Sequence, residues 1–193
     1  MLKSLYILAV ACLLPVSLAA QSQPSAEGPT ILLWVGASFS TFNPDYGCGS
    51  ASPFTCWNGQ VVGISPYAHT APILFNRIGA EGQARFLLWH GPNGLTESSY
   101  MAGPRIRIAS FGAMSLNARF LFGVGHVRVP VNEFGTGTYF AYAPGGTLDY
   151  RMSKRVAARV DYEYQRWPSF GGLNGNHGLT PNGLSFGFSY AIP

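Results

Sequence analysis

Alternation of apolar and polar side chains is the dominant pattern in this chain of 193 residues. It is clearest in residues 156–165. There Ala158, Val160, Tyr162 and Tyr164 alternate with Arg159, Asp161, Glu163 and Gln165. Side chains of a β-strand point alternately to its two faces. The segment therefore predicts a strand with one apolar face and one charged face.

The same period of two recurs in seven further segments, separated by clusters of Gly, Pro and Asn, which is typical of an all-β protein. Most of the segments approach the 9–11 residues that a tilted membrane strand requires. The predicted strands are residues 32–41, 61–69, 83–90, 98–108, 114–127, 140–152, 156–165 and 183–192.

The connections between these strands alternate in length. Short turns on the periplasmic side and longer loops outside are typical of outer-membrane barrels. We therefore predict an all-β, transmembrane, antiparallel up-and-down β-barrel of eight strands over residues 30–193, with both chain ends on the periplasmic side. The long connections are 42–60, 91–97, 128–138 and 166–182, the tight ones are 109–113 and 153–155, and 70–82 is intermediate.

Composition supports a membrane barrel over a soluble one. Only 10% of the residues are Asp, Glu, Lys or Arg, against about 25% in ordinary soluble domains. A soluble β-sandwich or lipocalin-like barrel is the alternative, and it would direct its apolar faces inward. Here the polar faces are small and rich in Gly and Ser, which suits a narrow interior, whereas the apolar faces are bulky and aromatic and suit lipid.

The N-terminal residues 1–20 are predicted to be a signal peptide. Lys3 supplies a positive charge, residues 5–14 are almost entirely apolar, and residues 17–20 are small enough for cleavage. A lipobox ending at Cys12 is a less favoured alternative. Residues 21–29 then form a flexible leader. We expect export and a location in the bacterial outer membrane.

The net charge and the cysteines limit which partners and sites are expected for this chain. The net charge of +4 is dispersed and no Lys/Arg run occurs, so nucleic acid is not an expected partner. Cys48 and Cys56 form an even pair in an exported chain, which predicts a disulfide in the first outer loop. A metal site is disfavoured because no histidine lies nearby. Tyr46, Phe54 and Trp57 could form a binding tip on this loop.

A series of charged residues occupies the alternate strand positions whose side chains are predicted to point into the barrel. An eight-stranded barrel is only wide enough inside for side chains, and buried charges must be paired. Asp149 and Arg159, facing each other across the tight turn, are the first predicted pair. The alternative is an anion-selective pore, because six arginines outnumber three acids. The predicted network comprises Arg85, Arg105, Arg107, Arg119, Asp149, Arg151, Arg159, Asp161 and Glu163.

Three stretches resemble the small outer-membrane barrel family of the outer-membrane-protein-A and opacity-protein type, a porin-family-like barrel. They are residues 100–107 (Tyr-Met-Ala-Gly-Pro-Arg-Ile-Arg), 159–165 and 183–190. The likeness, over roughly residues 30–192, implies eight strands in outer-membrane lipid and insertion by the barrel-assembly machinery, which would recognise the last strand. The chain departs from the family by ending in Ala-Ile-Pro rather than an aromatic residue.

Catalytic, metal and cofactor sites are not predicted. His90 has Glu97 and Ser98 nearby, but the arrangement lacks the ordering of a nucleophile, base and acid. It also lacks the His-x-Ser pattern of lipid A deacylases, so a lipid-modifying enzyme is the least favoured function. The histidines lack metal-ligand spacing and no Gly-rich phosphate loop occurs. Interfacial girdles are expected for the tryptophans, with core packing of one or two as the alternative; they are Trp34, Trp57, Trp89 and Trp167.

The expected function is therefore non-enzymatic. We expect a monomer with a structural role or a role in interactions made by its loops, and an interior filled by the charge network. Loops 42–60 and 166–182 are the candidates for binding an extracellular ligand. A small-solute or anion-conducting channel is the second possibility.

Overall fold

The computed structural model describes most of the predicted barrel domain. The predicted signal peptide (1–20), the leader (21–29), and residues 30–32 and 193 of the barrel domain lie outside the described residues. Cys48 and Cys56 do so as well, so their disulfide stays a prediction. The described residues are 33–45, 59–91, 94–128, 136–170 and 178–192.

Eight antiparallel strands form a closed barrel in which each strand pairs with the next and the last pairs with the first. The prediction of an all-β up-and-down barrel is confirmed. The strands are β1 (Leu33–Asn43), β2 (Val61–Thr70), β3 (Ile78–Trp89), β4 (Thr96–Phe111), β5 (Met114–Arg128), β6 (Gly137–Arg151), β7 (Val156–Tyr164) and β8 (Asn182–Ile192).

Strand β3 begins five residues earlier than the sequence pattern predicts, at Ile78 instead of residue 83. The early part pairs with β4, with Gly79 opposite Arg105 and Gly82 opposite Ala102. Its outward positions hold Ala80 and Gly82, which are too small to show an apolar alternation. The backbone pairing with β4 therefore extends a strand that the side-chain pattern alone conceals.

The outer surface of the barrel is apolar. In β8, Phe186 and Phe188 are half exposed, whereas Ser185 and Ser189 are buried. The register places Phe186 opposite Phe39 of β1, so bulky side chains continue from strand to strand. Such a continuous apolar surface is unfavourable in water and matches the lipid-facing band of a membrane barrel.

The two ends of the barrel differ in their connections. Residues 71–77, 112–113 and 152–155 form three short turns at the end where β1 begins and β8 finishes, which we call the turn end. Gly112 has φ of +58° in its two-residue turn, a conformation that glycine adopts without steric cost. The other four connections, 44–60, 90–95, 129–136 and 165–181, begin and end at the opposite end of the strands, which we call the loop end. No helix within the described residues is long and apolar enough to cross a membrane.

Two of the tryptophans are buried rather than interfacial, so the expectation of a girdle is wrong for both. Trp34 packs with Ala157 and Ala191 inside the turn end, because it shares the inward parity of Ser38 and Ser40. Trp167 follows β7 and is fully buried at the loop end. Two others remain: Trp89 is exposed, and Trp57 lies outside the described residues.

Candidate functional site

Glu81 lies at the centre of the barrel interior and accepts hydrogen bonds from three arginines. Arg105 on β4 donates from 3.2 Å and Arg159 on β7 from 2.6 Å. Arg119 on β5 donates to the same carboxylate. All four side chains are buried. Glu81 thus joins β3 to three other strands across the lumen.

A second part of the network surrounds Glu163 on β7. Arg119 donates to Glu163 at 2.6 Å and to Asp161 at 2.9 Å. Arg85 donates to Glu163 at 2.5 Å, and its guanidinium lies 3.9 Å from the centroid of the Phe42 ring. The aromatic face covers the cation where no carboxylate does. Arg119 connects this part to Glu81, so the two parts form one cluster.

Asp149 and Arg159, the first predicted pair, are opposite each other in the β6–β7 register. Their closest side-chain approach is 4.0 Å, from the Arg159 Nε to an Asp149 oxygen. Asp149 instead accepts hydrogen bonds from Arg105 and, at 2.9 Å, from Asn117. The two residues therefore belong to one cluster, while Arg159 donates to Glu81.

The charges of this cluster balance. Four arginines share the interior with four carboxylates, and each forms at least one ion pair. Charges in a dry interior are tolerated only when they are paired and hydrogen-bonded. Arginine suits this role because its planar guanidinium can donate to several carboxylates. We call these residues the ion network: Arg85, Arg105, Arg119, Arg159, Glu81, Asp149, Asp161 and Glu163.

Sequence reasoning missed Glu81 and included two arginines that stand apart from the network. Glu81 was assigned to the connection 70–82, although it continues the inward parity of Gln83 and Arg85. Arg107 is half-buried and Arg151 is exposed; neither forms an ion pair with a described carboxylate. Both lie closer to the turn end than the ion network does.

An apolar plug fills the interior at the loop end. Trp167 and Leu121 are its largest fully buried members, and Leu179 packs with them. The Trp167 ring fits because residue 125 is glycine: a Cβ there would lie 2.2 Å from the ring. Trp167 also donates to Gln165 at 2.7 Å. Gln165 in turn donates to Glu163 of the ion network.

A cavity of about 200 Å³ lies at the turn end, below the ion network. Its lining includes Trp34 and His69, whose rings stack with centroids 6.1 Å apart. Arg105 and Asp149 of the ion network line it as well. The cavity is therefore bounded on its inner side by the network.

The described histidines lie at separate places. His69 lines the cavity, whereas His90 is exposed beside the first residues of a loop. His126 lies 3.0 Å from the Thr138 hydroxyl oxygen. Within the described ranges, no three His, Cys, Asp or Glu residues form a group that could hold a metal ion. His177 and the predicted binding-tip residues lie outside those ranges; the latter are Tyr46, Phe54 and Trp57.

Comparison with known proteins identifies the fold. No family model and no curated protein matches the chain. Neisserial surface protein A matches with a TM-score of 0.55 and 15% identity, covering 83% of this chain and 97% of that one. OprG, an outer-membrane protein of Pseudomonas aeruginosa, matches with a TM-score of 0.52 and 10% identity, covering 86% and 98%. The chain has the fold of the small eight-stranded outer-membrane β-barrels.

Replacing Glu81 by Gln should reveal the importance of the ion network. E81Q leaves three arginines without their shared carboxylate, so we expect the free energy of unfolding to fall by about 3–5 kcal/mol. Urea titration of the folded barrel, read from its heat-modifiable migration on gels, measures this change.

The double variant E81Q/R119Q should lose less than the sum of the two single losses, because both substitutions disrupt the same ion pair. K154Q, in an exposed turn, is the control and should change stability by less than about 0.5 kcal/mol. Additive losses in the double variant would contradict a coupled network.

Proposed function

We propose that the chain is a non-enzymatic outer-membrane β-barrel with a closed interior, which acts through its structure and through its loops at the cell surface. The observation that carries this proposal is the combination of an apolar outer face with an interior filled by the ion network and the apolar plug. A protein built in this way is stabilised by lipid outside and by paired charges inside.

The outer surface supports the membrane location. Its exposed aromatic and aliphatic side chains follow the strands around the barrel, as at Phe122, Phe140 and Phe186. The strands contain 9 to 16 residues, enough for the 9–11 residues of a tilted membrane strand. The similarity in fold to OprG points the same way.

The filled interior supports a closed barrel over an anion channel. Arg119, Glu163 and Trp167 are essentially inaccessible to solvent and occupy successive levels of the lumen. An eight-stranded barrel leaves room for little besides such side chains. The excess of arginines that favoured a pore is absent from the ion network, because Glu81 adds a fourth carboxylate and Arg107 and Arg151 lie outside the network.

The loop end supports a role in interactions. Thr180 donates a hydrogen bond to Asp45, which joins the bases of loops 42–60 and 166–182. Trp167 and Leu179 exchange backbone hydrogen bonds that join the two arms of the second loop, and Arg166 exchanges two with Tyr142 of β6. Because β1 pairs with β8, the two loops emerge side by side. We propose that they form one surface for an extracellular ligand.

The closed sheet supports a monomer. Every strand pairs on both sides, so the barrel presents no free strand edge to a second copy. A lipid-modifying activity finds less support, because His69, His90 and His126 are dispersed over the described barrel.

An epitope tag tests the display of the loops. A tag inserted after Ser50, in loop 42–60, should be labelled by antibody on intact cells of a Gram-negative host. A tag inserted after Phe75, in the exposed turn 71–77, should be labelled only after the outer membrane is permeabilised. Heat-modifiable migration verifies that both proteins are folded. Labelling of the turn tag on intact cells would contradict the proposed orientation.

Planar-bilayer recordings test the closed interior. The folded protein should insert without producing discrete conductance steps in potassium chloride, because the ion network and the plug leave no water-filled path. Detergent alone and heat-denatured protein are the controls for leakage. Reproducible, anion-selective steps from the folded protein would favour the channel instead.

A further inference from the structure

The cavity at the turn end contains a cluster of cationic side chains. Arg77 comes from the turn between β2 and β3, Arg107 from β4 and Arg151 from β6. The three residues line the same space of about 200 Å³. Arginines from three separate elements thus converge on one cavity.

No carboxylate of the described chain pairs with any of these three arginines. The cavity lining contains a single acid, Asp149, and its carboxylate already accepts hydrogen bonds from Arg105 and Asn117. Arg105, which also lines the cavity, is paired with Glu81 and Asp149. Among the described residues, the positive charge of these three arginines is therefore not compensated in the way that the charge of the ion network is.

This surplus is unfavourable without an anion. Arg107 lies within electrostatic range of Arg151, which repels it, and of Asp149, which attracts it. Arg107 is half-buried, and its Nε has no hydrogen-bond partner among the described residues. Arg77 and Arg151 are exposed, but repulsion from a neighbouring cation is stronger for a half-buried group such as Arg107 than for one in water. An anion in the cavity would relieve this repulsion and supply acceptors for the guanidinium groups.

We propose that this cavity binds a phosphate group. Three guanidinium groups require several acceptor oxygens and more than one negative charge. A phosphate supplies both, whereas a single carboxylate has two oxygens and one charge. The stacked rings of Trp34 and His69 form an aromatic wall beside the cations, so the cavity suits a small phosphate ester as well as phosphate itself.

The ion network separates this cavity from the rest of the lumen. Arg105 and Asp149 form part of its lining, and the paired side chains of Arg119 and Glu81 lie beyond them. The ion network therefore bounds the inner side of the proposed phosphate site. This inference depends on the cavity alone and does not require the proposed function of the loops.

Thermal unfolding of the full-length mature protein in maltoside micelles tests the proposal, with inorganic phosphate as the probe and chloride at equal ionic strength as the reference. A ligand that binds the folded state raises its unfolding temperature as its concentration increases. We expect phosphate to raise the unfolding temperature of the wild type, and calorimetric titration to give a dissociation constant for the same sample.

Matched variants locate the site. R107Q/R151Q should bind phosphate about tenfold or more weakly and lose the thermal shift. It should still fold, since neither arginine pairs with a described carboxylate. K154Q/R155Q also removes two positive charges at the same end, from exposed positions outside the cavity lining, and should respond like the wild type. If R107Q/R151Q fails to show heat-modifiable migration, R77Q in the exposed turn replaces it, with weaker binding expected.

A second arm identifies the source of the phosphate group. The titration is repeated with mixed micelles that contain phosphatidylglycerol in place of inorganic phosphate. Stabilisation by inorganic phosphate supports a free phosphate or phosphate ester. Stabilisation by phosphatidylglycerol alone, lost in R107Q/R151Q, supports a lipid headgroup. The proposal is overturned if neither stabilises the wild type, or if R107Q/R151Q responds as strongly as K154Q/R155Q.

Discussion

The shared carboxylate of Glu81 is the contact on which the interior of this barrel depends. It accepts from Arg105, Arg119 and Arg159, which come from three different strands. A barrel of eight strands has no room for a water-filled channel around such groups, and unpaired charges in that space would be very costly. Pairing is therefore a requirement of the fold itself.

The lipid-facing surface follows from the same backbone geometry. In β7 the alternation that directs Asp161 and Glu163 into the network directs Tyr162 and Tyr164 outward. The interior and the exterior are thus encoded by one period of two. The apolar plug at the loop end is hydrogen-bonded to the ion network, since Gln165 donates to Glu163 and accepts from Trp167. The turn end differs from the ion network, because Arg77, Arg107 and Arg151 pair with no described carboxylate.

The strength of the alternation explains which parts could be predicted from the sequence. Strand β7 was identified because bulky apolar residues alternate with charged ones. The start of β3 was not, because Ala80 and Gly82 give no apolar signal on the outward face. Glu81 was missed for that reason alone, although its parity with Gln83 and Arg85 was visible.

Contacts between residues that are far apart in the sequence could not be predicted from local patterns. Trp167 lies just after a strand, where interfacial tryptophans are common, and its burial depends on Leu179 and on the space left by Gly125. The sequence pattern also could not show which arginines pair with carboxylates and which do not. Arg107 has the same parity as Arg105 and both line the cavity, but only the packing of the barrel shows that Arg105 pairs with Glu81 while Arg107 pairs with no described carboxylate.

Exchange of the arginine side-chain protons with water, measured by NMR on the folded protein with ¹⁵N-labelled arginine, tests the closed ion network most directly. The Nε–H signals of Arg85, Arg119 and Arg159 should persist at neutral pH and exchange slowly, because these groups are buried. Those of Arg128 and Arg155, which are exposed, should be broadened by rapid exchange. Equally fast exchange at all five arginines would show a water-filled lumen and contradict this account.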